Sequence, residues 1–413
     1  MKKQILRHRL VQLLYVLVDG IAAECVWFAF LFFRWQVLDE IVTGWDTFWA
    51  PAFDFSLSGA YHPALLFPIG CILVYYFLGY YLRPGKEKLS RLLWTTFAGA
   101  FIITCGAFVL IILDDVNIVN VMRYYKSFAV LLLFQFGIVL LPRLVLYFTI
   151  QRRFRREMVV IRMQDGMTEH DLYAQISNLF LTGKDIAIEP RVFDVFTGAA
   201  RIIHIDESPL IVVSEPNMKD WEAVVKRMFD FIVSALMLIL MSPLFLLIAL
   251  AVKIDSTGPA IYKQERVGLW GRTFYILKFR SMYKDSETDV PQLSQVGDNR
   301  ITRVGRFLRK YRLDELPQFW NILKGEMSIV GPRPERPYFV AQIMEKAPYY
   351  CLLYKVRPGL TSWGPVKVGY TDTMDKMLQR LMYDISYTEN MSIVLDIKIL
   401  LRTIGVLVDG KGQ

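Results

Sequence analysis

Histidine and cysteine are scarce in this chain of 413 residues, with four of each. His8, His62, His170 and His204 lie far apart, and Cys25, Cys71, Cys105 and Cys351 make no pair with zinc-ligand or redox spacing. A histidine–cysteine metal cluster or a disulfide framework is therefore not what organises the chain. Three of the cysteines fall in apolar runs and read as small buried hydrophobes. Acids are also in the minority, 39 against 48 Lys and Arg, which leaves a net charge of +9 and a pI near 9.2. That balance suits phosphorylated substrates, anionic lipid or nucleic acid, and charge alone does not choose among them.

What is abundant is apolar surface: 54% of residues are hydrophobic and the mean hydropathy is +0.33, too apolar for an ordinary soluble protein. Four runs are long enough to span a bilayer as helices, at Leu10–Phe33, Ala64–Leu82, Leu92–Leu113 and Phe128–Ile150. "MKKQILRHR" precedes the first, "LRPGKEKLSR" joins the second to the third, and "QRRFRRE" follows the fourth. The positive-inside rule places these flanks, and both ends of a four-helix bundle over residues 1–150, in the cytosol. The first run is too long for the h-region of a signal peptide and reads as a retained anchor. Asp19 and Glu24 fall inside it. They are expected to face neighbouring helices or lie shallow, with Arg143 of the fourth run as a partner, rather than to line an ion path.

Residues 151–220 read as a small cytosolic α/β module. "MVVIRM", "DIAIEP", "RIIHI" and "PLIVV" are short β-branched runs, and "TEHDLYAQISNLFL" has helical spacing. No Gly-x-Gly-x-x-Gly follows the first strand, so nothing supports dinucleotide binding. Next comes "SALMLILMSPLFLLIALAV". From Phe231 to Val252 it is long enough, at roughly 33 Å as a helix, to cross. Its flanks, however, are basic at both ends, and Pro243 removes a backbone donor in its middle. Ser242 is placed to satisfy a freed carbonyl. A helix–break–helix hairpin at 229–253, entering and leaving on the cytosolic face, fits both facts; a kinked spanning helix is the alternative.

The remainder is polar enough to fold at a membrane surface. "AIYKQERVGLWGRTFYILKFRSM" reads as two strands around a Gly-rich turn, and 284–300 as a polar loop. "ITRVGRFLRKYRL" and "ENMSIVLDIKILLRTIGVLV" read as amphipathic helices with cationic faces, suited to an anionic surface or to packing on a core. The densest chemistry lies in "RLDELPQFWNILKGEMSIVGPRPERP". Asp314 and Glu315 are adjacent acids close to Arg309, Arg312 and Arg333. An ionised carboxylate among guanidiniums is suited to phosphoryl transfer, because the cations shield a nucleophile from an anionic substrate. The two acids also offer hard oxygens to Mg2+. Plain helix capping before Leu316-Pro317 competes with that reading. Trp363, in "VRPGLTSWGP", is placed to stack on a base or sugar or to anchor at an interface.

From about Lys226 onward the sequence resembles the bacterial sugar transferases, the monotopic polyprenyl-phosphate hexose-1-phosphate transferases. The resemblance rests on "KRMFD", "SPLF", "GPAIYKQERVG", "TFYILKFRSM", "DNRITRVGRFLRKYRLDELPQFWNILKGEMSIVGPRP" and "RPGLTSW". The whole chain looks like the large subclass. The fold it implies is an integral membrane protein of α + α/β class. A four-helix transmembrane bundle (1–150) is followed by a small, truncated Rossmann-like module (151–220). A mainly helical monotopic catalytic domain (221–413) completes it, with a re-entrant hairpin and a small β-hairpin.

The resemblance also implies a reaction. A sugar phosphate passes from a UDP-sugar to undecaprenyl phosphate, with Mg2+, releasing UMP and beginning a surface polysaccharide. Asp314 would be the nucleophile and form a phosphosugar–aspartate, with Glu315 assisting through Mg2+ or proton transfer. Lys278, Arg309 and Arg333 match positions that hold phosphate, and Ser242-Pro243 matches the re-entrant break. A homodimer at the bacterial cytoplasmic membrane is implied, with the catalytic domain in the cytosol and no nucleic-acid partner. One departure follows Trp363, where Gly-Pro-Val-Lys-Val-Gly-Tyr replaces the usual Ala-Gln-Val-Asn-Gly-Arg. The sugar, whether glucose, galactose or an N-acetylated one, is therefore not specified. An inactive membrane scaffold is the competing function, against which the intact Asp314, Glu315 and Arg333 argue.

Overall fold

Runs of Leu, Val, Ile and Phe satisfy their backbone groups within the segment, and the first part of the chain is accordingly helical. The computed structural model describes residues 2–37, 63–82, 88–114, 121–153, 158–162, 167–182, 185–189, 202–205, 208–213, 215–283, 298–369 and 373–408. Most of the loop read at 284–300 lies outside them. Two compact units are present, 1–155 with 223–228, and 156–222 with 229–413.

The first unit holds α1 (Lys2–Val37), α2 (Pro63–Leu78), α3 (Leu89–Asp114) and α4 (Val121–Arg153). Segments of α1, α3 and α4 are long and apolar enough to cross a membrane, at Leu10–Phe33, Leu89–Val109 and Tyr124–Ile150. The second run departs from the expected span. Its helix has 16 residues, about 24 Å, short of a hydrocarbon core. Gly79, at φ 85°, ends it in the left-handed conformation that glycine tolerates, and Tyr80–Leu82 continue as a 3₁₀ turn.

The four helices bury a shared core that includes Tyr15, Val26, Phe30, Tyr75 and Leu131. Within it Arg143 lies between the rings of Tyr75 and Tyr80, 3.7 and 3.9 Å from their centroids. Arg143 pairs with Asp19 through Nε–Oδ1 (2.9 Å) and Nη2–Oδ2 (2.7 Å). Its Nη1 donates to Thr96 Oγ1 at 3.0 Å, and the Tyr81 hydroxyl donates to Asp19 Oδ2 at 2.6 Å. Asp19 is thus consumed in packing, as the partnered reading expects.

In the second unit β1 (Met158–Ile161), β2 (Asp185–Ile188), β3 (Ile202–Ile205) and β4 (Ser208–Val212) form one sheet in the order β1-β2-β4-β3. β1 and β2 run parallel across α5 (Glu169–Thr182), while β4 pairs antiparallel with both β2 and β3. Only one parallel crossover is therefore present among the described residues, and a hairpin completes the sheet. The module is not set apart: Leu172, Ile176 and Phe180 of α5 share a core with Tyr350, Cys351, Tyr354 and Leu381.

α6 (Asp220–Leu240) and α7 (Ser242–Asp255) are bent by 62° where they meet. Pro243 sits in the first turn of α7, where its missing N–H costs little, and Ser242 Oγ donates to Ile239 O at 2.7 Å. α7 buries Ile248 and Val252 against Phe279 and Leu308 and exposes Leu246, Leu247, Leu250 and Ile254. The buried Arg280 collects carbonyls at and just past the end of α7, donating to Val252 O (3.2 Å), Ser256 O (2.6 Å) and Thr257 O (3.0 Å). β5 (Ile261–Val267) and β6 (Thr273–Phe279) form the expected hairpin, in register from Ile261↔Phe279 to Val267↔Thr273. Then follow α8 (Arg303–Lys310), α9 (Gln318–Lys324), β7 (Ser328–Val330), α10 (Pro337–Lys346), β8 (Gly359–Thr361, parallel to β7), α11 (Trp363–Val368), α12 (Met374–Glu389) and α13 (Ile393–Val408).

Candidate functional site

The adjacent acids lie in a 3₁₀ turn, Leu313–Glu315, between α8 and α9. Arg312 enters that turn at φ 54°, a left-handed conformation unfavourable for a residue with a Cβ. The flanking leucines, Leu313 and Leu316, pack on the core that α7 shares with Phe279 and Leu308. The acids themselves are 7% and 8% exposed. Pro317 precedes a helix of only seven residues, so Asp314 sits ahead of the helix rather than at its cap.

The neighbours of the two acids differ. Glu315 Oε1 accepts from Lys278 Nζ at 2.8 Å, with Arg333 Nη2 at 3.9 Å, and Oε2 accepts from Arg312 Nη1 at 3.4 Å. Among the described residues nothing donates a hydrogen bond to the Asp314 carboxylate. Burial pushes Asp314 up, the charge of Glu315 adds to this, and Lys278, Arg309 and Arg312 oppose it, leaving a pKa of about 6. Burial pushes Glu315 up as well, but Lys278, Arg333 and Arg312 more than offset it and hold the carboxyl well below the usual range. Lys278 is lowered by burial, against the pull of Glu315 and Asp314. Glu315 is therefore a fixed anion locked to cations, and Asp314 is an unshared carboxylate close to its ionisation point. Such splitting of neighbouring acids marks a division of roles.

Of the residues expected from sequence, Asp314, Glu315, Lys278 and Arg333 are brought together. Arg309 acts on Asp314 through its charge, with its Nε donating to Ser281 Oγ at 2.8 Å. Ser242 and Pro243 form the bend and are not part of the charged cluster. A divalent ion fits the donor set in part: among the described residues no three His, Cys, Asp or Glu converge. Asp314 and Glu315 would supply two oxygens, and a substrate's phosphates would have to complete the shell.

Several supporting residues escaped the sequence reading. Asn321 of α9 accepts from Leu277 N at 3.0 Å and donates to Tyr275 O at 2.8 Å, pairing with the free edge of β6 as another strand would. It thereby fixes the strand that carries Lys278 to the helix that follows Glu315. Glu335 pairs with Arg380 and, at 3.4 Å, with Arg266. Asp384 accepts from Ser362 Oγ, from Gly364 N (3.0 Å) and from Arg333 N (3.3 Å). It ties the Arg333 loop to the turn before Trp363. A polar residue in an otherwise apolar helical pattern, as in "QFWNILK", was the available signal. Trp363 is surrounded by Lys367, Lys398 and Arg402, 5.0, 5.9 and 5.3 Å from its ring. Beside them α13 exposes Val394, Ile397, Leu401 and Ile404, as the amphipathic reading expects.

A model of the bacterial sugar transferase family matches residues 221–410. The chain is 40% identical over 223 residues to a UDP-N-acetylgalactosamine-undecaprenyl-phosphate N-acetylgalactosaminephosphotransferase of Aeromonas hydrophila, covering 54% of this chain and 52% of that protein. It is 46% identical over 182 residues to a UDP-glucose:undecaprenyl-phosphate glucose-1-phosphate transferase of Caulobacter vibrioides, covering 43% and 68%. It is 39% identical over 199 residues to exopolysaccharide production protein PSS of Rhizobium leguminosarum, covering 46% and 99%. The chain spans about half the length of the Aeromonas protein and of several other curated relatives.

Proposed function

Because the chain belongs to the bacterial sugar transferase family, we propose that it transfers a hexose-1-phosphate from a UDP-sugar to undecaprenyl phosphate, releasing UMP. The observation that carries this reading is the contrast between Glu315, held by Lys278, Arg312 and Arg333, and the unshared Asp314 beside it.

The ionised Asp314 oxygen attacks the phosphorus that bears the sugar. The bond from that phosphorus to the bridging oxygen breaks, UMP leaves with the oxygen and its electron pair, and the sugar phosphate remains as an acyl phosphate on Asp314. A phosphate oxygen of undecaprenyl phosphate then attacks the same phosphorus. The Asp314 carboxylate leaves, and the product is a lipid diphosphate sugar. With a pKa of about 6, Asp314 is largely ionised at neutral pH yet more basic than an ordinary aspartate. Lys278 and Arg333, already oriented by Glu315, present cations to the diphosphate, and Arg309 adds charge from α8. Mg2+ held by Asp314, Glu315 and the diphosphate would supply further neutralisation of the phosphate oxygens.

Sidedness supports the same reading. UDP-sugars are cytosolic. The bend at Ser242-Pro243, with basic residues on both flanks, suits a hairpin that returns to the side it entered from. The α7 core seats Leu313 and Leu316, and in such a hairpin the acids between them would lie at the depth of a lipid phosphate. The product would open the assembly of a surface polysaccharide. The decisive experiment is UMP release by the detergent-purified chain with Mg2+ and undecaprenyl phosphate across a panel of UDP-sugars. Release with one donor identifies the sugar, and silence with every donor favours an inactive scaffold.

A further inference from the structure

The turn that carries Trp363 is fixed on both sides. Ser362 Oγ and Gly364 N both donate to the buried Asp384, so the half-buried indole between them is held in place. Three exposed cations stand around its ring: Lys367 at 5.0 Å, Lys398 at 5.9 Å and Arg402 at 5.3 Å. Lys367 comes from the stretch after Trp363 where the sequence departs from the usual turn of its family. Among the described residues none of the three pairs with a carboxylate. The ring attracts each cation without neutralising it, and like charges drawn together in this way favour an anion beside them.

α13 supplies two of the cations, and its rotation is set by contacts on its inner face. Asp396 accepts from the Tyr387 hydroxyl at 2.7 Å, Ile399 is buried, and Thr403 Oγ1 lies 2.6 Å from Thr361 Oγ1, two residues before Trp363. On the outer face Val394, Ile397, Leu401 and Ile404 are exposed and recur at intervals of three and four, the spacing of an apolar stripe. At about 100° per residue, Lys398 and Arg402 fall between that stripe and the inner face. Around the helix the order is therefore apolar stripe, cations, core.

We propose that Trp363, Lys367, Lys398 and Arg402 bind the phosphate of an anionic phospholipid whose acyl chains lie along the apolar stripe of α13. The occupant follows from the two sectors together. The stripe suits hydrocarbon, the cations suit a phosphate at its edge, and an indole suits the boundary between them. A free phosphate or a nucleotide gains nothing from the stripe, and a zwitterionic lipid brings a positive charge that three cations disfavour. The site uses none of the residues assigned to the sugar phosphate, so it goes beyond the transferase reading without depending on it.

The test uses the purified full chain in a neutral detergent. Bound lipid is counted by native mass spectrometry while dioleoylphosphatidylglycerol or dioleoylphosphatidylcholine is titrated. Lipids held elsewhere on the chain are common to wild type and variants and cancel in the comparison. The wild type should prefer phosphatidylglycerol. Each cation removed should raise the amount needed to half-fill the site about fivefold, so roughly 25-fold for Lys398→Gln/Arg402→Gln and about fivefold for Lys367→Gln. Lys398→Arg/Arg402→Lys keeps both charges and should bind as the wild type does, which separates loss of charge from loss of fold. Inorganic phosphate and UDP should leave the lipid count unchanged. Displacement of phosphatidylglycerol by either one assigns the cations to a free anion or to the nucleotide and overturns the proposal. No preference for phosphatidylglycerol in the wild type, undiminished binding in the glutamine variants, or equal weakening in the charge-keeping variant overturns it as well. No UDP-sugar is present, so the outcome stands apart from that of the transferase assay.

Discussion

Replacing either of the two adjacent acids by its amide should change stability in opposite directions. Asp314 is buried, with a pKa of about 6 against an ordinary 3.8. Between those values the unfolded chain has lost the proton and the folded chain still holds it. The stabilising effect of the protonated form is therefore complete below pH 3.8 and lost as pH rises through 6. The difference of about two pH units corresponds to about 3 kcal/mol at pH 7.5, and to about half of that at pH 5. Asp314→Asn removes this cost, so the variant should be more stable than the wild type by an amount that grows from pH 5 to pH 7.5. Glu315 is held ionised by three cations. Glu315→Gln leaves Lys278 without its partner at 2.8 Å and should lose about 3–5 kcal/mol at neutral pH, as when one side of a buried ion pair is removed. Thermal unfolding in detergent at the two pH values measures both. A destabilised Asp314→Asn, or a gain independent of pH, would refute the assignment of the shared and unshared carboxylates.

Four further outcomes are expected. UMP release should fall about tenfold per pH unit below about pH 6 as Asp314 takes up its proton; a profile flat to pH 5 counts against Asp314 as the nucleophile. Asn321→Leu should lower turnover while leaving Lys278 and Glu315 chemically intact. Unpaired groups at Leu277 N and Tyr275 O cost about 1–3 kcal/mol each, and the rate of UMP release together with the unfolding midpoint reads the effect. Arg143→Met strands Asp19 in the helical core and should destabilise the first unit by about 3–5 kcal/mol, visible as a lower unfolding midpoint. Chelation of divalent ions should stop UMP release, and added Mg2+ should restore it.

Local chemistry made much of this fold legible. The β-branched runs became β1 to β4, the Gly-rich turn became the tip of β5–β6, and Ser242-Pro243 marked the bend. The acids and cations of the site were visible because charge stands out against an apolar background. The shortening of α2 was not legible, since a hydropathy window passes over Gly79 and cannot register its positive φ. Nor was the core shared between α5 and Tyr350–Tyr354, because contacts that far apart in sequence leave no periodic trace. Asn321, Glu335 and Asp384 were missed for a related reason. Their partners across the site are 20 to 69 residues away, and a single polar residue carries no sign of which distant group it will meet.

The claim that Asp314 attacks the sugar-bearing phosphorus is tested most directly by incubating the purified chain with its UDP-sugar in the absence of lipid and mapping the modified peptide by mass spectrometry. One hexose phosphate is expected on Asp314, discharged when undecaprenyl phosphate is added and absent from Asp314→Asn. Steady UMP release from Asp314→Asn, or an adduct on any other residue, would contradict it.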